Sequence, residues 1–347
     1  MNTKTNISRE QIALFIEAVP DPALVIKSDG LILAVNQNAN AVFEQQLLNH
    51  NISFAVRTPA INSAVAEAFS MEKSSVVQHQ LHAPISRSFD VFITPLQMVE
   101  QASPLALLTF KDLTYEEQIE RMRTDFVANA SHELRTPLAS LTGFIETLQG
   151  AAKNDAKAKD EFLKLMKAQA DRMARLIDDL LSLSRIETTE HVAPSGVVDL
   201  TMMAKQTLDL LQGLAQDAKC EVKLELPKTL PVIGDAGQLS QVIYNLVENA
   251  IKYAGANNSV VIGGGREGNT AIFSVRDFGQ GIAEHHIPRL TERFYRVSAQ
   301  DSRMRGGTGL GLAIAKHILK RHRGKIHIES KLGEGSTFSI HLPAAIK

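Results

Sequence analysis

The sequence contains one cysteine, no tryptophan and no long apolar run, and these absences exclude several classes of protein. Cys220 alone cannot form an internal disulfide, which favours a reducing compartment. No segment approaches the ~20 apolar residues that span a bilayer, and the polar N-terminus does not have the pattern of a signal peptide. We therefore expect a cytoplasmic chain without a membrane span, with membrane association only if a longer native form has an upstream anchor.

An excess of either charge is missing as well, since 37 basic residues balance 38 acidic ones and the formal net charge is −1. A nucleic-acid-binding protein of this size usually has a basic stripe, so we expect no nucleic-acid partner. The 347 residues predict two or three domains, at about 150 residues per domain. With 44% hydrophobic and 22% charged residues, the composition is that of a soluble globular protein.

Residues 9–113 predict an α/β domain. A helical pattern is followed by two strands around an Asp-Gly turn, then by short helices and three strand-like runs. This order, the opening "AVPDPALVIKSDGLILAVNQNA" with Asn36, and the exit "KDLT" resemble a PAS domain, which implies a sensor or dimerising module. We expect His50, His79 and His82 on the surface rather than in a metal or haem site, since His79 and His82 would face opposite sides of a strand.

Residues 114–190 predict a helical hairpin. The first helix covers 114–150, and a polar turn follows it. The second helix has residues at alternating spacings of 4 and 3, a heptad pattern with one polar member: Phe162, Met166, Gln169, Met173, Leu176, Leu180 and Leu183. A single hairpin leaves a wide apolar stripe uncovered, and pairing two hairpins into a four-helix bundle would bury it. We therefore expect a homodimer.

Residues 198–343 follow a short linker and predict an α+β sandwich of strand-like runs and strongly amphipathic helices. The glycine-rich stretch "GGTGLGL" at 306–312 precedes one of these helices, so its backbone N–H groups and the helix dipole suit a phosphate. It lacks the last glycine of a Rossmann fingerprint, and the sequence has no Walker A motif. Taken alone, the stretch fits a phosphate site and a simple helix cap about equally well.

Four further motifs accompany this stretch: "NLVENAIKYA" and "DFGQGI" and "ERFYRV" before it, and "GEGSTF" after it. Together, in this order, they resemble the asparagine, phenylalanine and glycine boxes in the ATP-binding domain of bacterial sensor histidine kinases, a domain of the GHKL ATPase type. The resemblance implies ATP and Mg²⁺ as cofactors. It also implies a set of nucleotide-binding residues: Asn245, Asn249, Lys252, Tyr253, Asp277, Gly279, Gly281, Arg296, Gly307, Thr308, Gly309, Leu310 and Gly311.

The asparagine box distinguishes phosphoryl transfer from hydrolysis. By the resemblance, Asn249 is the magnesium ligand and Asn245 lies beside the metal or a bound water, while Lys252 and Tyr253 line the phosphates and the ring. Gyrase, mismatch-repair and heat-shock-chaperone ATPases of the same superfamily have a glutamate in place of Asn245. An amide cannot act as a general base, which favours transfer to another residue over hydrolysis.

The glycine boxes are expected to hold the rest of the nucleotide. By the resemblance, Asp277 accepts the adenine amino group, and Gly279 and Gly281 let the base approach the backbone. The glycines of 307–311 would cradle the triphosphate, and residues 297–306 would form a mobile lid.

The stretch "FVANASHELRTPL" at 126–138 contains the candidate acceptor and is, by the resemblance, the H box. A neutral imidazole is a competent nucleophile near neutral pH, so His132 is the predicted phosphoacceptor. Glu133 can accept the proton from the other ring nitrogen. Thr136, one helical turn further, can position water for dephosphorylating a partner. Pro137 lacks an N–H and predicts a bend beside the acceptor.

The resemblance implies a homodimeric sensor histidine kinase that autophosphorylates His132 from ATP. The phosphoryl group would then pass to an aspartate of a response-regulator receiver domain, with phosphatase activity toward the regulator as well. The stretch "SHELRTPLASLTGFIETLQG" is most similar to phosphate-regulon sensor kinases. Two alternatives stay open: a non-catalytic dimeric adaptor that sequesters a regulator, and a GHKL-type ATPase. The stimulus, the cognate regulator and the choice between cis and trans transfer do not follow from the sequence.

Overall fold

The computed structural model describes residues 8–43, 46–81, 86–96, 104–190, 192–255, 258–298 and 307–345. The chain divides into two compact units, Met1–Asp125 and Phe126–Lys347, and the division falls inside a long helix. Within the described ranges, no helix is both long and apolar enough to cross a membrane. His82 and residues 299–306 of the predicted lid lie outside the described residues.

The first unit is built on an antiparallel sheet of five strands in the order β2-β1-β5-β4-β3. Its elements are α1 (Arg9–Glu17), β1 (Ala23–Lys27), β2 (Ile32–Val35), α2 (Gln37–Phe43), α3 (Ile52–Ala55), α4 (Pro59–Met71), β3 (Ser75–Leu81), β4 (Arg87–Leu96) and β5 (Leu105–Asp112). The predicted hairpin and the three later strands are all present. Membership of the PAS family stays a prediction.

Among the described residues of this unit, three buried residues are polar: Asn36, His79 and Ser88. The side-chain oxygen of Asn36 accepts the N–H of Ala23 at 2.9 Å and so connects the end of β2 to the start of β1. His79 is only 6% exposed, and its Nδ1 lies 2.8 Å from the Thr58 hydroxyl. The expectation of a surface histidine is therefore wrong for His79, because the residue preceding α4 covers that face of β3. His50 is exposed, as expected.

The predicted helical hairpin is confirmed as α5 (Thr114–Gln149) and α6 (Ala156–Thr189). Helix α5 continues without interruption through Pro137, which is buried. Every heptad residue of α6 is at least half-buried, and Leu176 and Leu183 are fully buried. Ile177 and Leu181, on another side of the same helix, are exposed in the single chain. Helix α6 therefore has apolar surface that this chain alone does not cover.

The predicted α+β sandwich is also confirmed. Its elements are β6 (Val197–Asp199), α7 (Leu200–Asp217), β7 (Glu221–Glu225), β8 (Pro231–Ile233), α8 (Ala236–Ala254), β9 (Ser259–Glu267), β10 (Thr270–Asp277), a 3-10 helix (Glu284–Arg289), α9 (Gly311–Arg321), β11 (Lys325–Lys331) and β12 (Gly335–Pro343). The main sheet has the order β11-β12-β10-β9-β7, in which β7 and β9 are parallel and the other neighbours are antiparallel. Strands β6 and β8 form a small second sheet.

Helix α8 positions the asparagine box because its apolar residues recur at spacings of three and four. They bury one side of the helix in the core of the sandwich: Leu239, Val242, Ile243, Leu246, Val247, Ala250, Ile251 and Ala254. Three residues of α6 join the same core: Leu176, Leu183 and Ile186. The second hairpin helix is therefore docked on the sandwich.

Candidate functional site

A cavity of about 440 Å³ lies between α8, the end of β10, the segment 307–311 and α6. All but two of the predicted nucleotide-binding residues line it: Asn245, Asn249, Lys252, Tyr253, Asp277, Gly281, Arg296, Gly307, Thr308, Gly309 and Gly311. The fold thus brings together residues from motifs that are far apart in the sequence. The exceptions, Gly279 and Leu310, have different surroundings.

The two exceptions lie next to the cavity and do not line it. A Cβ added at Gly279 would lie 2.1 Å from the carbonyl oxygen of Tyr253, so only glycine lets the chain after β10 pass so close to α8. Leu310 is fully buried in the hydrophobic core, because the segment needs an apolar anchor immediately before α9. Its side chain therefore does not line the cavity, unlike the prediction from the motif.

Asp277 is a buried carboxylate at the end of β10, 3% exposed. Burial raises its pKa, while hydrogen bonds from Gly279 and Ser336 oppose that rise. The Gly279 N–H donates to its Oδ1 at 2.9 Å. A carboxylate held by neighbouring donors in this way is a fixed acceptor for an amino group that enters the cavity.

The face of α8 toward the cavity combines amides with an ion pair. The side-chain nitrogen of Asn245 donates to the carbonyl oxygen of Gly311 at 3.1 Å, which joins α8 to the start of α9. Lys252 forms an ion pair with Glu248 at 2.9 Å, one helical turn apart. The sequence interpretation missed Glu248, although its position between Asn245 and Lys252 on one helix face was visible.

The glycine-rich segment is the phosphate candidate of the cavity. It leads into α9, whose first turn has no side-chain cap among the described residues, so backbone N–H groups point into this region. Arg296 donates from Nη2 to the carbonyl oxygen of Gly307 at 2.7 Å. The Arg296 side chain is 8% exposed, and its Nε is buried without a partner among the described residues. A cation with an unused donor therefore lies next to the segment.

The candidate acceptor helix has a different character. His132 and Thr136 are exposed on α5, and the Thr136 hydroxyl donates to the His132 carbonyl oxygen at 3.2 Å. Glu133 is half-buried and accepts hydrogen bonds from Arg172 and from Arg296, each at 3.1 Å. In this state, the carboxylate beside the predicted acceptor is engaged by a residue of the nucleotide cavity.

Helix α6 supplies a wall of the cavity that the motifs did not predict. Arg175, Asp178 and Asp179 all line it. Asp179 accepts the hydroxyl of Thr308 through Oδ2 at 2.7 Å. Burial raises the pKa of Asp179, and the nearby carboxylate of Glu248 adds to the rise, although the Thr308 hydrogen bond opposes it. One signal was present, since Asp179 lies on the α6 face whose apolar residues join the core.

Two protein families match the chain. The His Kinase A (phospho-acceptor) domain matches residues 122–189, and the histidine kinase-, DNA gyrase B- and HSP90-like ATPase matches residues 234–346. These ranges contain the helical hairpin and most of the sandwich. The predicted acceptor and the cavity-lining residues of α6 lie inside the first range, and the other residues that line the cavity lie inside the second.

Curated relatives include proteins named as a sensor protein and as a sensor-like histidine kinase. The chain is 38% identical over 239 residues to the phosphate regulon sensor protein PhoR of Pseudomonas aeruginosa, covering 69% of this chain and 54% of that protein. It is 36% identical over 238 residues to the sensor-like histidine kinase SenX3 of Mycolicibacterium smegmatis, covering 69% and 62%. The chain thus spans less than two thirds of the length of either relative.

Solved structures agree at the level of the fold. The histidine kinase AdeS of Acinetobacter baumannii is similar over 62% of this chain and 98% of that one, with a TM-score of 0.50 and 27% identity. The histidine kinase ThkA, in complex with the response regulator protein TrrA, is similar over 95% of this chain and 98% of that one, with a TM-score of 0.53. At 21% identity, the likeness to ThkA concerns the fold alone.

Proposed function

Because the chain belongs to the sensor histidine kinases, we propose that it transfers the γ-phosphoryl group of ATP to His132 and then to an aspartate of a response regulator. One observation supports this most: the cavity with the buried carboxylate and the glycine-rich segment has as its fourth wall the helical hairpin that contains His132. Donor site and acceptor helix therefore belong to one compact unit.

Nucleotide binding uses the residues that line the cavity. Asp277 accepts the amino group of adenine, which selects adenine over guanine. The amides at the start of α9 and Arg296 bind the phosphates. The amide oxygen of Asn249 and the carboxylate of Glu248 are hard oxygen ligands that face the same cavity, a donor set that suits Mg²⁺. A magnesium ion held by these oxygens would neutralise part of the phosphate charge during transfer.

The transfer step needs little covalent chemistry from the protein. The unprotonated ring nitrogen of His132 forms a P–N bond to the γ-phosphorus, and the bond from that phosphorus to the bridging oxygen of ADP breaks. Glu133 takes the proton from the other ring nitrogen once it leaves its two arginine partners. Asn245, an amide joined to Gly311, is not a base for water, so hydrolysis is the disfavoured outcome.

The remaining assignments complete the proposed role. Exposed Ile177 and Leu181 fit a homodimer in which two hairpins form a four-helix bundle. Thr136 is exposed beside His132 and fits a regulator phosphatase activity. Residues 9–113 serve as a PAS-like sensor domain, and the likeness to PhoR points to phosphate-starvation signalling. We place the chain in the cytoplasm.

Incubation with γ-labelled ATP and Mg²⁺ tests the proposal. A kinase gives label on the protein that is labile in acid and stable in base, and a receiver domain then removes it. Release of labelled phosphate without labelled protein would instead favour the GHKL-type ATPase. Nucleotide binding with neither product would favour the adaptor, and residues 112–347 alone would then show whether the first unit holds a kinase inactive.

A further inference from the structure

The docked state uses two groups of the phosphate site to bind carboxylates of the hairpin. The Thr308 hydroxyl donates to Asp179, and the Arg296 guanidinium donates to Glu133. Both donors lie at the glycine-rich segment, where the proposed function places the phosphates of ATP. A carboxylate oxygen and a phosphate oxygen accept the same kind of charge-assisted hydrogen bond.

We propose that Asp179 is an internal competitor of the nucleotide, which holds α6 against the phosphate site through Thr308 and must leave when ATP binds. Asp179 would therefore determine both the nucleotide affinity and the docking of the hairpin that contains the phosphoacceptor. The inference rests on the proposed function, since it concerns the same cavity.

Charge in the cavity makes the two occupants incompatible. Asp178, Asp179 and Glu248 already line it. Burial of the Asp179 carboxylate is unfavourable for its charged form, and a triphosphate would add several negative charges within the same low-dielectric space. The repulsion ends when the Asp179 side chain moves out of the cavity. The Thr308 hydroxyl then donates to a phosphate oxygen instead.

The release need not separate the hairpin from the sandwich. Leu183 and Ile186 of α6 stay in the apolar core, and Glu187 forms an ion pair with Arg293. None of these three α6 residues lines the cavity, so the nucleotide does not compete with them. Departure of Asp179 frees the Thr308 hydroxyl for a phosphate, and Arg296, which donates to Glu133, lines the same cavity. If Arg296 turns to the phosphates in the same event, Glu133 loses one of its two arginine partners and keeps Arg172.

The test is the affinity of the full chain for ADP in four variants. Asp179→Asn removes the competing carboxylate, and Asp171→Asn is the matched control, because it removes the same charge from the same helix outside the cavity. We expect Asp179→Asn to bind ADP roughly 10-fold more tightly and Asp171→Asn to change affinity by no more than about 2-fold. In a Thr308→Val background, the gain from Asp179→Asn should disappear.

Autophosphorylation provides an independent readout. Asp179→Asn should lower the KM for ATP by a similar factor with kcat within about 2-fold, which a purely structural substitution would not do. Hydrogen exchange of the wild-type chain adds a measurement without any variant. On ADP binding, residues 307–311 should gain protection while residues around Asp179 lose it.

Equal affinities of the wild type and Asp179→Asn would overturn the inference, and so would equal gains in Asp179→Asn and Asp171→Asn. Weaker binding by Asp179→Asn would make Asp179 part of the nucleotide site rather than its competitor. Protection of both segments on ADP binding would also contradict displacement. A wild-type chain that binds no nucleotide at all would instead remove the proposed function itself.

Discussion

The nucleotide cavity and the acceptor helix are specified in different ways. In the cavity, a carboxylate that is 3% exposed is surrounded by backbone atoms so close that glycine is required beside it. On α5, by contrast, His132 and Thr136 are exposed side chains whose chemistry the fold does not need. In the proposed function, nucleotide recognition therefore depends on the backbone of the sandwich, whereas phosphoryl acceptance depends on one replaceable surface residue.

The largest expected effect separates these two properties. His132→Gln should abolish phosphoryl transfer and leave ADP affinity within about 2-fold, with unfolding free energy changed by no more than ~0.5 kcal/mol, as for most surface substitutions. Labelled ATP, ADP titration and thermal melts measure the three quantities. Loss of ADP binding in this variant would break the comparison, since it would make His132 part of the nucleotide site.

Replacement of a glycine in the sandwich should, unlike His132→Gln, lower both the stability of the fold and the affinity for ADP. Gly281 has a φ of +67°, and an added Cβ would lie 2.0 Å from the carbonyl oxygen of Lys331. Gly281→Ala should therefore cost about 3 kcal/mol of unfolding free energy and weaken ADP binding with it. Denaturant unfolding measures the cost.

Gly265→Ala is the control for that substitution, because a Cβ added there would have nothing within 4 Å. We expect this variant to stay within about 1 kcal/mol of the wild type. Similar losses of unfolding free energy in both variants would show that the backbone conformation and the close contact at Gly281 are not the cause of its cost.

The motifs predicted the positions of these residues better than their surroundings. The helical hairpin and the sandwich followed from spacing and local pattern, and the gathering of separate boxes at one cavity followed from the family resemblance. The burial of Leu310 and His79 did not, because a local pattern does not show which neighbouring element covers a given face. Asp179 and Glu248 had no motif of their own, and their roles depend on the docking of α6 and on the turn of α8.

Recognition of adenine should depend on Asp277 with a smaller effect. Asp277→Asn replaces a buried acceptor by a group with donors, and a hydrogen bond to a charged group contributes about 2 kcal/mol. We expect roughly 30-fold weaker ADP binding by titration calorimetry, with little loss of fold stability, because burial already disfavours this charge. Unchanged selectivity for ADP over GDP would contradict the assigned role.

The smallest effect concerns the scaffold behind the cavity. His322 joins the end of α9 to the start of α8: its Nδ1 donates to the Ile318 carbonyl oxygen at 2.7 Å, and its Nε2 accepts the Asp235 N–H at 2.9 Å. Both contacts together require the neutral ring. Burial lowers the pKa of His322, and the nearby Arg321 lowers it further.

The sign of the pH dependence follows from that lowered pKa. In the unfolded chain, His322 has an ordinary pKa of about 6.5 and becomes protonated below that pH, whereas in the folded chain it stays neutral until a lower pH. The free energy of unfolding therefore decreases as the pH falls from about 6.5 toward the folded pKa. Between about pH 7.5 and 5.5, the wild type should lose ~1 kcal/mol more unfolding free energy than His322→Gln. Parallel pH profiles for the two proteins would exclude this role.

The most direct test of the account maps the phosphoryl group after incubation with ATP and Mg²⁺. Trypsin cleavage after Arg123 and Arg135 gives the peptide "TDFVANASHELR", which contains a single histidine. Mass spectrometry at neutral pH should find one phosphoryl group on this peptide, located at His132, and none when Asp277→Asn protein is given the same low ATP concentration. A phosphoryl group on any other residue, or phosphate released with this peptide unmodified, would contradict the account.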